Sequence, residues 1–128
     1  MAFWFSESHT DNVKLEIKVN EQLYSRMSDY QKIEIFQSIE FGRILTLDDV
    51  ITLTEKDEFI YHEMIVHPAM AVHPSVHRVL VVGAGDGGAL RELIRYEDIE
   101  SIDLVEIDGM LVDACKEFLP STAVGYDD

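Results

Sequence analysis

Basic residues are scarce: 10 Lys and Arg stand against 25 Asp and Glu, a formal net charge of −15 over 128 residues. Such a surface repels nucleic-acid phosphates and anionic lipid headgroups, so neither a nucleic acid nor a membrane is an expected partner, and it concentrates cationic ligands. Acidity also keeps proteins soluble, so charge alone identifies no ligand. Cysteine occurs once, at Cys115, which excludes an internal disulfide; it falls on the apolar stripe of an expected helix, where a buried thiol is the expectation. No apolar run approaches the roughly 20 residues of a membrane-spanning helix. Residues 1–7 offer neither a basic start nor a long apolar stretch, so the expectation is a cytoplasmic protein. Internal repeats and low-complexity runs are absent as well.

Glycine, by contrast, is concentrated. Val79-Leu80-Val81-Val82 runs into Gly83-Ala84-Gly85-Asp86-Gly87-Gly88, and a helical pattern over 87–96 follows. A buried parallel strand passes to a helix in this way in nucleotide-type α/β domains. Gly83, Gly85 and Gly88 satisfy G-x-G-x-x-G, whose backbone can turn sharply and approach a ligand closely. Asp86 argues against a dinucleotide, because a carboxylate at that point repels the pyrophosphate such loops receive. It suits a phosphate-free, cationic ligand, such as a sulfonium of the S-adenosylmethionine type or a substrate ammonium; equally, it could do no more than cap the helix. Downstream, Ile102, Leu104, Val105 and Ile107 predict a second strand buried on both faces, as the first is. Glu106 lies near its end, where an α/β nucleotide fold places an acid to accept hydrogen bonds from two ribose hydroxyls. Loop and acid together read as adenosine recognition.

Ahead of this lies a β-rich stretch. Val13, Leu15, Ile17 and Val19 alternate with polar residues, Tyr30–Ile39 reads as a strand, and Arg43–Leu47 with Val50–Leu53 reads as a hairpin across Asp48-Asp49. Residues 1–53 are therefore expected to form a small antiparallel sheet domain, and 54–128 the start of an α/β domain. Thr54-Glu55-Lys56-Asp57 resembles a capping box opening a helix that Pro68 should end, with Phe59, His62, Glu63 and Val66 on one face. His62 and Glu63 are then either satisfied inside the core or directed into a cleft. His62 and His67 are five residues apart, so H-E-x-x-H zinc chemistry is excluded and no metal is expected; His67, His73 and His77 belong to a connecting segment. Leu90, Leu93 and Ile94 give one apolar helix face, and Met110, Leu111, Ala114, Cys115 and Phe118 another, ended by Pro120. Two parallel strands make an incomplete sheet, so the expectation is a truncated α/β domain, a piece of a longer protein or one completed by a partner.

The glycine loop with its preceding strand, Val105-Glu106-Ile107-Asp108, and Asp57-Glu58-Phe59-Ile60-Tyr61-His62-Glu63-Met64 closely resemble the spermidine synthases, the polyamine aminopropyltransferases. Tyr30-Gln31 and Leu45-Thr46-Leu47-Asp48 fit too, so the likeness covers essentially the whole chain. It implies the first half of a Rossmann-like, methyltransferase-type domain behind a sheet domain used for homo-oligomer contacts, as dimer or tetramer. It also implies transfer of an aminopropyl group from decarboxylated S-adenosylmethionine, a co-substrate, to putrescine, without cofactor or metal. By resemblance Gln31 and Glu106 bind the nucleoside part with Gly83 and Gly85, Asp86 holds the donor ammonium, and Tyr61 and His62 border the amine channel. Ala84 stands where the family often has glycine, with no consequence expected. The family's proton-accepting aspartate lies in a later segment, beyond Asp128, so residues 1–128 alone are expected to lack useful activity and to contain no catalytic residue. Two other readings fit the scaffold: an amine N-methyltransferase and a non-catalytic oligomerising or polyamine-sensing module.

Overall fold

The computed structural model describes residues 3–128, and the chain divides into two compact units, one ending at Asp57 and one spanning Glu58–Asp128. The first unit is a five-stranded antiparallel meander: β1 (Phe3–Thr10), β2 (Val13–Met27), β3 (Lys32–Ser38), β4 (Arg43–Leu47) and β5 (Val50–Thr54), paired in chain order. Phe5, Ile17, Val19, Phe36 and Ile44 form its core, with Phe41 and Ile51 packed against them. Burying each such side chain contributes about 1.5 to 3 kcal/mol.

Two features depart from the sequence expectation. Strand β1 carries no strong alternation signal, since Phe5 is its buried apolar residue while Phe3 and Trp4 are exposed. Strand β2 runs 15 residues, well past Val19, because register shifts between Val19 and Glu21 and between Gln22 and Tyr24 break the period of two without ending the pairing. Val13 and Leu15 are exposed although they alternate correctly, so only the Ile17–Val19 end of that face is packed. The β4–β5 hairpin is as expected: Leu47 pairs with Val50 across Asp48 (φ 50°) and Asp49 (φ 64°), the left-handed pair a two-residue turn requires. Neither residue is glycine, and Lys32 offsets the strain. Its N–H donates to Asp48 Oδ1 at 2.9 Å, and its ammonium meets Asp49 Oδ1 at 2.9 Å.

The second unit runs α1 (Glu58–Val72), β6 (Arg78–Val82), α2 (Gly88–Leu93), β7 (Ser101–Val105), α3 (Gly109–Phe118), the short α4 (Pro120–Ala123) and a 3-10 turn at Val124–Asp127. Strands β6 and β7 pair in parallel, Arg78 with Ser101 through Val82 with Val105. Val66, Ala89 and Leu93 form a core with Met70, Val79, Val81 and Ile102 around it.

Several expectations are corrected here. Helix α1 begins at Glu58, not directly after Thr54, whose Oγ1 donates to Asp57 Oδ1 at 2.5 Å. It also continues through Pro68 to Val72, carrying His67 within it. Proline inside a helix costs about 3 kcal/mol, yet Val66 and Met70, two residues before and two after it, both pack on the core and hold the helix together. The buried stripe of α1 is Glu58, His62 and Val66; Phe59 is exposed and Glu63 only half-buried. Strands β6 and β7 are not buried on both faces. Val79 and Val81 turn inward, while Leu80 is 64% and Val82 79% exposed, because the sheet consists of two strands with packing on one side.

Candidate functional site

The chain leaves β6 at Val82, and the Gly83 N–H donates to the Val105 carbonyl at 2.8 Å, closing the parallel pair. The loop then makes positive-φ steps at Gly83 (80°), Ala84 (63°) and Gly87 (87°). Ala84 is therefore not neutral as expected: an L side chain in this region carries a penalty of about 1 to 2 kcal/mol that glycine would avoid. Helix α2 starts at Gly88, a residue later than expected, and ends at Leu93.

Asp86 is buried at the centre of the loop. Its Oδ1 accepts the Gly88 N–H at 2.8 Å and also lies 3.0 Å from His62 Nε2. The capping alternative thus holds in part, through the first helical N–H, but the same oxygen is also tied to a charged network. His62, 2% exposed, turns its other nitrogen to Glu58, with Nδ1 donating to Oε2 at 2.5 Å. Both ring nitrogens face carboxylates, and only the imidazolium can donate to both, so against the pull of burial Asp86 and Glu58 favour the protonated ring and hold its pKa above the ordinary value. Glu58 in turn receives a bidentate pair from Arg91, Nη1 to Oε1 at 2.7 Å and Nη2 to Oε2 at 3.0 Å. Arg91, Glu58, His62 and Asp86 form one chain of alternating charge that balances only with His62 protonated.

Glu106, directly after β7, is anchored by two backbone donors. Gly85 N–H reaches Oε2 and Asp108 N–H reaches Oε1, both at 3.0 Å. Each carboxylate oxygen keeps a second acceptor site, so the group can still take two hydroxyls side by side. The structure thus brings Gly83, Gly85, Asp86, His62 and Glu106 into one constellation of the second unit. Tyr61 lies beside it, 64% exposed, its ring edge-on to His62 at 5.2 Å between centroids. Gln31 belongs to the first unit, in the turn before β3, where its backbone is bonded by Ser28. Among the described residues, no group of three or more His, Cys, Asp or Glu could hold a metal ion.

Sequence reasoning missed Glu58 and Arg91 as members of the network. Glu58 was detectable, lying four residues before His62 and so on the same helix face. Arg91, 33 residues from Glu58, leaves no local trace.

Cys115 is fully buried in α3, and burial, followed by the charges of Asp86 and Glu106, pushes its thiol up to about 12. Alkylation at about pH 8 is expected to be negligible until denaturant is added; labelling of the native chain at the rate of the unfolded one would contradict that burial.

A sequence model described as the Spermine/spermidine synthase domain matches residues 58–128, and one described as the Spermidine synthase tetramerisation domain matches residues 3–55. The polyamine aminopropyltransferases of Clostridium perfringens (strain 13 / Type A) and Alkaliphilus oremlandii are 59% and 56% identical over 128 residues, covering 100% of this chain and 45% of each relative. Spermidine synthase from Thermotoga maritima superposes with a TM-score of 0.96 at 42% identity, over 98% of this chain and 45% of that one. A spermidine synthase in complex with the transition-state analogue AdoDATO also superposes at 0.96 and 42% identity, over 98% and 43%. The chain spans less than half the length of these relatives.

Proposed function

Since the chain belongs to the spermine/spermidine synthase family, we propose that the protein containing it is an aminopropyltransferase making spermidine from putrescine and decarboxylated S-adenosylmethionine. The observation that carries this reading is the pairing of two anchored carboxylates across one glycine loop, Glu106 on the Gly85 N–H and Asp86 on the Gly88 N–H. Glu106 would accept the ribose hydroxyls, Asp86 the donor ammonium, and Tyr61 would border the amine channel. His62 is too buried to present much surface, so its part is to hold Asp86.

In the reaction the acceptor nitrogen attacks the propyl carbon bonded to sulfur. The C–S bond breaks, its electron pair stays on sulfur, and neutral methylthioadenosine leaves. The sulfonium is already an activated leaving group, so no metal or cofactor step is invoked. An amine with a pKa of about 10 must first lose a proton, and in this reading the acceptor of that proton lies outside residues 1–128. Self-assembly as a dimer or tetramer through the first unit is part of the proposal, supported by its match to a tetramerisation domain. So is a cytoplasmic location; no helix among the described residues is long and apolar enough to cross a membrane.

The test is to incubate the complete gene product with putrescine and the decarboxylated donor. Methylthioadenosine and spermidine should appear in equal amounts, and absence of both would sink the reading.

A further inference from the structure

We propose that Tyr126 is a positioning residue for the nucleoside site, its hydroxyl fixing the Gly85 peptide so that Glu106 is held ready for two ribose hydroxyls. The proposal rests on the reading of Glu106 given above. Tyr126 Oη donates to the Gly85 carbonyl at 2.9 Å, while the Gly85 N–H donates to Glu106 Oε2 at 3.0 Å. The peptide planes on both sides of the Gly85 Cα are therefore pinned. A glycine has the widest backbone freedom of any residue, so two such restraints at one position order what would otherwise drift. Glu106 has two backbone anchors, and the tyrosine stabilises one of them.

The rest of the fold is arranged to deliver that hydroxyl. The segment Pro120–Asp127 lies directly against the loop: a Cβ on Gly87 would stand 2.8 Å from the Thr122 carbonyl oxygen and 2.9 Å from the Tyr126 ring. Only glycine permits this approach. Lys116 Nζ lies 5.0 Å from the centroid of the Tyr126 ring. Burial, then Asp86, Cys115 and Glu106, push the phenol up to about 12, so it remains a donor throughout the neutral range. Tyr126 does not itself touch the Glu106 carboxylate, and its effect passes through the backbone.

Removing only the hydroxyl separates this role from general packing. In the complete gene product, Tyr126→Phe is expected to weaken methylthioadenosine binding about fivefold, the loss of one neutral hydrogen bond. Its 2′,3′-dideoxy analogue, which offers Glu106 no hydroxyls, should bind wild type and variant alike. In a Glu106→Gln background the tyrosine substitution should change neither affinity. Equal losses for both nucleosides would show a merely structural role, and unchanged binding of both would overturn the proposal outright. A wild-type protein that binds neither nucleoside would overturn the reading of the site as well, which sets that failure apart from this one.

Discussion

Alanine in place of His62 is expected to cost about 3 to 5 kcal/mol of folding stability, read as a lowered urea midpoint. The imidazole is almost fully buried between Glu58 at 2.5 Å and Asp86 at 3.0 Å. Removing it leaves two carboxylates inside the fold, with Arg91 able to answer only Glu58. The loss therefore combines a vacated space with an unpaired buried charge, the costlier of the two.

The same network gives the stability a pH signature. Burial alone pulls the His62 pKa down, but hydrogen bonds and charges from Asp86 and Glu58 more than offset it and hold the ring above its ordinary 6.5. A group that binds its proton more tightly when folded contributes fully below the unfolded pKa, and that contribution is lost as pH rises through the folded one. Asp86 works from the other side. Burial raises it, yet the His62 bond and the Gly88 N–H bring it below its ordinary 3.8, so its contribution is present above that value and lost as pH falls through the folded pKa. Urea midpoints of the wild type should accordingly decline above about pH 6.5, and the alanine variant, lower at every pH in the plateau, should lack that decline. Parallel profiles for the two proteins would show that His62 is neutral in the fold.

How much of this could be read from sequence depends on the range of each signal. The glycine loop and Glu106 were legible because a run of glycines after an apolar strand, followed at a fixed interval by an acid, is a pattern held within a single βαβ stretch. The β4–β5 hairpin was legible for the same reason. Pro68 misled because a local penalty was set against packing that sequence alone does not display, the seating of Val66 and Met70 on either side of it. Beyond Val19, bulges hid β2 by shifting its register, so that the side chains no longer alternate while the backbone still pairs. Arg91 was out of reach, as its partner lies on another helix and no spacing rule joins them. His62 is legible as a polar group on an apolar face that needs partners; Glu63, placed on that face with it, is only half-buried, and the helix turns Glu58 toward the imidazole instead.

The charge on Asp86 supplies the sharper functional test. Asp86→Asn is expected to weaken binding of the decarboxylated donor to the complete gene product by about ten- to a hundredfold, the range for losing a hydrogen bond to a charged group. Methylthioadenosine has no ammonium and should be affected far less. Asparagine keeps an oxygen that can accept the Gly88 N–H, so the loop can retain its shape while the charge facing a cationic tail disappears. The substitution also leaves the His62 imidazolium short of one counter-charge, which favours its neutral form and lowers stability on the acid side of neutrality. Comparing the two ligands removes that shared penalty, because both bind the same altered protein. A donor-specific loss means the carboxylate reads the ammonium. Equal losses would mean that Asp86 only shapes the loop through Gly88 and His62, and that the cationic tail is held elsewhere.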